Sequence, residues 1–167
     1  MSWSIAILAV VTLERLGELV LASANTRRLR AAGGREYGRG HYPWIVAVHA
    51  AWLVALWWLA PGRPIEGVWL AVFAVLLIAR LWVIATLGRR WTTRIIAVPG
   101  ETLVRRGPYR FVDHPNYVVV VGEIAVLPLV FGLWPVALVF SLLNAAVLWV
   151  RIRAENGALG RVAPPAA

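Results

Sequence analysis

Long apolar runs set the main constraint on the fold of this chain of 167 residues. A stretch of about 17 to 25 apolar residues can cross a bilayer as a helix. Three such stretches end before residue 88, and a fourth run, from Pro115 to Val150, is too long for one span. That run breaks at the sequence FGLWP, residues 131 to 135, where glycine and proline favour a turn. We therefore predict two helices there, with Pro135 opening the second.

The sequence predicts an all-α fold, a polytopic transmembrane helical bundle of about five spans. The predicted spans are residues 3–24, 43–60, 64–87, 115–131 and 135–150. In this interpretation residues 1–160 form a single integral-membrane domain, and residues 161–167 form a flexible tail. The composition agrees, because 60% of the residues are hydrophobic and only 15% are charged, which is unusual for a soluble domain.

The positions of the basic residues predict the orientation of the bundle. All 17 basic residues are arginines, and most of them follow spans one, three and five. The other two loops contain only Arg63. Cytoplasmic loops carry such an excess, so we expect the N-terminus outside and the C-terminus in the cytoplasm. The net charge of +9 is interpreted as a solvated cytoplasmic face and not as a nucleic-acid surface.

A cleaved signal peptide is the alternative for the first segment. The sequence Ala22-Ser23-Ala24 has the small-x-small pattern of a cleavage site. However, no basic region precedes the segment, and charged residues at positions 14, 15 and 18 interrupt its apolar stretch. A membrane span is therefore favoured.

Charged side chains inside the predicted spans are a second signal, since each costs free energy in hydrocarbon unless it is paired or faces a wet cavity. There are five of them: Glu14, Arg15, Glu18, Arg80 and Glu123. We predict an ion-pair network that joins the helices, and the alternative is a polar cavity open to the cytoplasm. His49, in span two, is interpreted as a helix-contact residue. We expect no metal site, because the chain has no cysteine and its histidines lack ligand spacing, which also disfavours a zinc hydrolase.

The most varied chemistry lies directly before span four, in the sequence GPYRFVDHPNY, residues 107 to 117. Its Gly-Pro pair predicts a turn, and Pro115 suits the first position of a helix capped by His114 or Asp113. The amide hydrogens and positive dipole of a helix start can bind a carboxylate or phosphate, and the tyrosines can stack on a ring. The alternative is an ordinary capped helix with interfacial tyrosines.

The end of span five carries a matching pattern. Asn144, Arg151 and Glu155 are spaced i, i+7 and i+11, which places them on one face of a continuing helix. Arg151 and Glu155 could form a simple surface ion pair. Because spans four and five are predicted to form a hairpin, we expect both residues to lie near His114 and Tyr117.

At these motifs the chain resembles the isoprenylcysteine carboxyl methyltransferase family, integral-membrane enzymes that use S-adenosylmethionine. The resemblance rests on ETLVRRGPYRFVDHPNY followed by RIRAENGAL. The upstream pieces ERLGELVLASANTRRL, REYGRGHYPWIVAVH and LGRRWTTRIIAVPG are similar to its small bacterial branch, so the resemblance covers nearly the whole chain. It implies a protein of the bacterial inner membrane whose active site faces the cytoplasm.

The resemblance also implies roles for individual residues. The implied cofactor-binding residues are Glu101, Thr102, Leu103, Val104, Tyr109, His114, Pro115, Asn116, Tyr117 and Glu155. Arg151 is implied to bind the substrate, and Arg151 and Glu155 are the expected catalytic pair. Three positions depart from the family pattern, which usually has a basic residue at Asp113, often a histidine at Glu101, and a second glutamate at Asn156.

The implied reaction is transfer of the methyl group of S-adenosylmethionine, which leaves S-adenosylhomocysteine, to a carboxylate or hydroxyl of a small lipophilic acceptor. For the bacterial branch the implied acceptors are alkylpyrones and phenols, and membrane lipids are the other expected partners. A carboxylate needs no base, whereas a phenol or enol would need Glu155 or His114 to take its proton. The alternatives are a phospholipid or amine N-methyltransferase-like enzyme and a non-catalytic membrane protein that retains the fold.

Overall fold

The computed structural model describes residues 3–160, with side chains described through residue 158. Five α-helices dominate this part of the chain: α1 (Trp3–Ala31), α2 (Tyr42–Leu59), α3 (Gly67–Leu87), α4 (Pro115–Val130) and α5 (Trp134–Gly160). The remaining elements are two 3-10 helices, Gly88–Arg90 and Gly107–Arg110, and two strands, β1 (Arg35–Tyr37) and β2 (Ile95–Ala97). The chain is mostly helical, as predicted. The predicted flexible tail, residues 161–167, lies outside the described residues.

Three helical segments among the described residues are long and apolar enough to cross a membrane. They are Tyr42–Leu59, Gly67–Arg90 and Trp134–Ala158. The other two predicted spans are also helices, but α1 carries charged residues in its middle and α4 has only 16 residues. At 1.5 Å per residue α4 is about 24 Å long, less than the roughly 30 Å of a hydrocarbon core. Five spans with an external N-terminus stay a prediction.

Helix α4 begins and ends close to where the sequence predicts, and α5 begins close to its predicted start but continues to Gly160, beyond the predicted span end at residue 150. Helix α4 begins at Pro115 and ends at Val130, and α5 begins at Trp134. Gly132 in the connection has a φ of 66°, a conformation that glycine adopts without steric cost. The Leu133 N–H donates to the carbonyl of Pro128 at 2.9 Å, which closes the turn. The predicted break is therefore confirmed, and α4 and α5 form a hairpin.

The apolar core lies between the first four helices, on the side of the bundle away from the start of α4. Its members include Leu8, Val11, Trp52, Leu56, Phe73, Ile124 and Leu127. The Trp52 indole donates to the Ile124 carbonyl at 3.2 Å, so a buried polar group of α2 is satisfied by α4. A Cβ at Gly122 would lie 2.7 Å from Leu76 Cδ2, which shows how closely α3 and α4 pack.

The predicted ion-pair network inside the bundle is confirmed. Arg80 of α3 donates to Glu18 at 2.6 Å and to Glu123 at 3.0 Å. Arg15 donates to Glu18 at 3.1 Å and lies 2.9 Å from Glu123. Glu14 lies 3.6 Å from Arg15. The network joins α1, α3 and α4, and its three carboxylates face two guanidinium groups.

A two-stranded antiparallel sheet ties together the loops that follow α1 and α3, and it was not predicted. Glu36 of β1 pairs in register with Ile96 of β2. Its side chain is 1% exposed and accepts hydrogen bonds from Arg30 and, at 2.6 Å, from Arg94. Burial alone would raise the pKa of Glu36, but these hydrogen bonds and the arginine charges outweigh it and lower the pKa. Since α5 also contacts both strands, the sheet lies at the end of the bundle where α5 ends.

Candidate active site

The start of α4 and the far end of α5 meet, as the hairpin predicts. The Tyr117 hydroxyl donates to the Glu155 carboxylate, and Arg151 Nε donates to the same hydroxyl at 2.8 Å. Tyr117 and Arg151 are each 8% exposed. Arg151 and Glu155 are one helical turn apart on α5, so a single tyrosine from α4 contacts both. A buried cation, a phenol and a carboxylate thus form one connected group.

His114 joins this group from the position before α4. Its ring stacks on the Tyr117 ring, with the centroids 5.2 Å apart and the planes at 25°. Its Nδ1 lies 4.0 Å from the Glu155 carboxylate, and its Nε2 lies 3.0 Å from Asn156 Oδ1. The amide oxygen of Asn156 only accepts, so His114 Nε2 carries the hydrogen. Asn156, a departure from the family pattern, therefore orients the His114 ring.

The start of α4 offers fewer free amides than the sequence predicts. His114 occupies the capping position, but no side chain makes a capping hydrogen bond there, and Asp113 is exposed. Pro115 has no N–H, and the N–H of Tyr117 donates to the His114 carbonyl at 3.0 Å. The predicted binding of a carboxylate by this helix start is therefore supported by the Asn116 N–H alone.

Asn116 also has an unsatisfied side chain. Its Oδ1 is buried and has no hydrogen-bond partner among the described residues. Most buried polar atoms in proteins are hydrogen-bonded, so such an atom next to a candidate site points to a missing donor. A ligand with an amino group would supply that donor.

Tyr109 approaches the group from the 3-10 helix before α4. Burial, together with the negative charge of Glu155, raises the pKa of Tyr109 to about 12. Its hydroxyl is therefore a neutral hydrogen-bond donor at physiological pH. The turn before it depends on Gly107, whose φ is 55° and where a Cβ would lie 2.5 Å from Thr86 Oγ1. This turn is packed against the end of α3.

The segment from Glu101 to Val104 is held by a different element. Arg90 lies 3.3 Å from the Glu101 carboxylate and donates to the Thr102 carbonyl at 2.8 Å. Leu103 is half exposed. In the described chain no hydrogen bond or ion pair joins this segment to the Tyr117 group. Its predicted contact with a cofactor stays a prediction.

The family model of the isoprenylcysteine carboxyl methyltransferase family matches residues 69–161, a range that contains both halves of the site. The chain belongs to this family. Its predicted resemblance is thus confirmed, and membership together with the three apolar helices indicates a membrane methyltransferase.

Two bacterial relatives cover nearly the whole chain. "Uncharacterized protein YpbQ" of Bacillus subtilis (strain 168) is 37% identical over 158 residues, which cover 92% of this chain and 94% of the relative. An "Uncharacterized protein" of Haemophilus influenzae is 25% identical over 158 residues, with 90% and 91% covered. No solved structure matches the chain. The similarity to full-length bacterial relatives agrees with the predicted bacterial branch of the family.

Proposed function

We propose that this chain is a methyltransferase that uses S-adenosylmethionine to methylate an oxygen, in a carboxylate or hydroxyl, of a small lipophilic acceptor. The observation that carries the proposal is the connected group of Tyr117, Arg151, Glu155 and His114, in a chain of this family. The group lies where two helices end, next to loops rich in arginine, so a polar cofactor can reach it from the aqueous side.

The side chains of the site fit the implied cofactor. The unsatisfied Asn116 Oδ1 and the Glu155 carboxylate can accept hydrogen bonds from an amino group or from ribose hydroxyls. The Tyr109 ring can stack on an adenine, whereas the Tyr117 ring already stacks on His114 and has the Arg151 guanidinium 5.6 Å from its centroid. When bound, S-adenosylmethionine supplies a methyl group on a positively charged sulfur. The contribution of the protein is then to position the two reactants and to exclude water.

Arg151 supports an oxygen acceptor over an amine. Its guanidinium is buried, and Nε donates to Tyr117, so the planar group is held in one orientation. The remaining N–H groups can donate to a carboxylate or to a developing oxygen anion. A cationic amine would meet a like charge here, which disfavours an N-methyltransferase. The acceptor tail can stay in the bilayer, since many large apolar side chains on the helix surfaces are exposed.

Calorimetric titration with S-adenosylhomocysteine tests the proposal. The detergent-purified wild-type chain should bind it with a Kd of about a micromolar, and Glu155→Ala should weaken binding about tenfold or more, since it removes a charged acceptor. Glu66→Ala is the matched control, because Glu66 is exposed at the opposite end of the bundle. A folded wild-type chain that does not bind S-adenosylhomocysteine would refute the proposal and favour a non-catalytic protein with the same fold.

A further inference from the structure

A second pocket lies where α1, the start of α2 and the loop before β2 meet. It is lined by Leu19, Ser23, Thr26, Tyr42, Thr93 and Arg94, none of which belongs to the candidate active site. The three residues from α1 are spaced i, i+4 and i+7, so they share one face of that helix. The pocket has a volume of about 250 Å³, below the roughly 300 to 1,000 Å³ of pockets that enclose a drug-sized ligand. Its size therefore suits a small polar group.

The pocket wall offers hydrogen-bond donors, and none of its six lining residues is acidic. The Ser23 hydroxyl accepts from an arginine one turn later on α1 at 3.1 Å, so its own hydrogen has no acceptor in the described chain. The hydroxyls of Tyr42 and Thr93 are 3.0 Å apart, and whichever of them donates, the hydrogen of the other is left over. The hydroxyls of Thr26 and Thr92, 2.8 Å apart, join α1 to the loop and hold the walls together.

Arg94 gives the pocket a positive charge. Its guanidinium carbon lies 4.3 Å from the centroid of the Tyr42 ring, and its Nη1 donates to Glu36 at 2.6 Å, so the group is held in one orientation. Its Nε and Nη2 make no hydrogen bond to any described residue. Glu36 does not neutralise this side of the pocket, because Arg30 and Arg39 pair with the same carboxylate. Three guanidinium groups thus face one carboxylate.

Apolar side chains continue from the pocket along α1 and α2. Leu16, Leu19 and Ser23 are spaced i, i+3 and i+7 on α1, and both leucines are half exposed. On α2, Val46 is half exposed one turn after Tyr42. Tyr42 begins a helix that is apolar enough to cross a membrane, so the pocket lies where this apolar segment meets an arginine-rich loop. A ligand here has room for a polar group in the pocket and an apolar tail beside the helices.

We propose that this pocket binds the phosphate of an anionic phospholipid whose acyl chains lie along α1 and α2. The inference does not depend on the proposed methyltransferase function. A phosphate diester carries a negative charge and only accepts hydrogen bonds, so it matches the free hydroxyl hydrogens and the unused N–H groups of Arg94. Basic clusters at the end of a membrane helix attract anionic lipids, whereas a zwitterionic headgroup would bring a cation close to the arginines. The bound lipid joins three parts of the chain and should therefore stabilise the fold.

Thermal melting of the full chain, purified in a maltoside detergent, tests the site with four probes. They are dihexanoyl-phosphatidylglycerol, dihexanoyl-phosphatidylcholine, dihexanoylglycerol and inorganic phosphate. Wild type should bind phosphatidylglycerol about 10-fold to 100-fold more tightly than dihexanoylglycerol, which leaves the donors unpaired, and about tenfold more tightly than phosphatidylcholine. Inorganic phosphate has no acyl chain and should bind about tenfold or more weakly than phosphatidylglycerol.

Two pairs of variants locate the binding. Ser23→Phe fills the pocket and should abolish the preference for phosphatidylglycerol, whereas Ala24→Phe adds bulk at an exposed position of α1 outside the lining and should keep it. Arg94→Gln removes the charge and should weaken phosphatidylglycerol binding about tenfold. Arg63→Gln, at an exposed position in the loop at the opposite end of α2, is its control. A cooperative melt without lipid shows that each variant folds.

Three results would overturn the proposal. Equal binding of phosphatidylglycerol and dihexanoylglycerol by wild type would show that the phosphate is not recognised. Binding of inorganic phosphate as tight as that of phosphatidylglycerol would show an anion pocket that takes free phosphate. A wild-type preference for phosphatidylglycerol in folded Ser23→Phe would place the lipid elsewhere on the bundle.

Discussion

Tyr117→Phe probes the centre of the candidate site with the removal of a single oxygen. The hydroxyl donates to Glu155 and accepts from Arg151, while the ring stacks on His114. Phenylalanine keeps the ring and its stacking but removes both hydrogen bonds. Arg151 is 8% exposed and would stay buried without this acceptor.

The size of the expected loss of stability follows from the two hydrogen-bond partners of the Tyr117 hydroxyl. A hydrogen bond to a charged group contributes about 1.5 to 3 kcal/mol, and two such bonds are lost. The Glu155 side chain is 25% exposed, so a hydrogen bond from water replaces part of what it loses. We therefore expect the free energy of unfolding to fall by about 2 to 3 kcal/mol. Binding of S-adenosylhomocysteine should weaken about tenfold, because Glu155 and His114 lose their common partner.

Denaturant titration in detergent and calorimetry measure the two effects. Tyr37→Phe is the matched control, since the Tyr37 hydroxyl makes no hydrogen bond within the described part of the chain. A double-mutant cycle with Glu155→Gln should show a coupling of about 1 to 2 kcal/mol. If Tyr117→Phe matched wild type in both stability and affinity, the Tyr117 hydroxyl would not connect Glu155 and Arg151.

Three further predictions concern residues around the site. Asn156→Ala releases the His114 ring and should weaken S-adenosylhomocysteine binding about threefold to tenfold in calorimetry. Asn156→Glu should retain an acceptor for His114 and should bind S-adenosylhomocysteine more tightly than the alanine variant does. Glu36→Gln should lower the melting temperature at pH 7, because the free energy of unfolding falls by about 1 kcal/mol. Because the pKa of Glu36 is lowered in the folded chain, its contribution is present above the ordinary glutamate pKa and disappears as pH falls through the folded pKa. The gap between wild type and Glu36→Gln should therefore close in acid, and a constant gap would contradict the ion pairing. Gly107→Ala should reduce the free energy of unfolding more than Gly100→Ala does. Both glycines have a positive φ, but only a Cβ at Gly107 would also meet Thr86. An equal loss in denaturant titrations of the two variants would show that the turn can move away from Thr86.

The helical framework could be predicted from local signals because each signal has a direct physical cause. Pro115 cannot donate and has a fixed φ, so it marks the start of α4. Gly132 supplies the positive φ of the turn before α5. The resulting hairpin brings Arg151 and Glu155 to Tyr117 without further information. Pairing of the buried charges was also predictable, since unpaired charges are too costly in hydrocarbon.

Other features depend on distant contacts that no local pattern contains. Strands β1 and β2 have three residues each, too few for a recognisable alternation, and both α2 and α3 lie between them in the sequence. The contact of Asn156 with His114 depends on the relative rotation of α4 and α5. Sequence patterns therefore place the site but not the contacts that orient its side chains.

The shortness of α4 has a consequence for the lipid around the protein. Where α4 crosses the bilayer as predicted, a hydrophobic length of about 24 Å falls short of the roughly 30 Å acyl layer. Such a mismatch is relieved by local thinning of the bilayer, at a modest cost per ångström. Lipid headgroups next to α4 then lie closer to the mid-plane than elsewhere. An amphiphile diffusing in the leaflet at the start of α4 then carries its polar end toward Tyr117 without leaving the membrane.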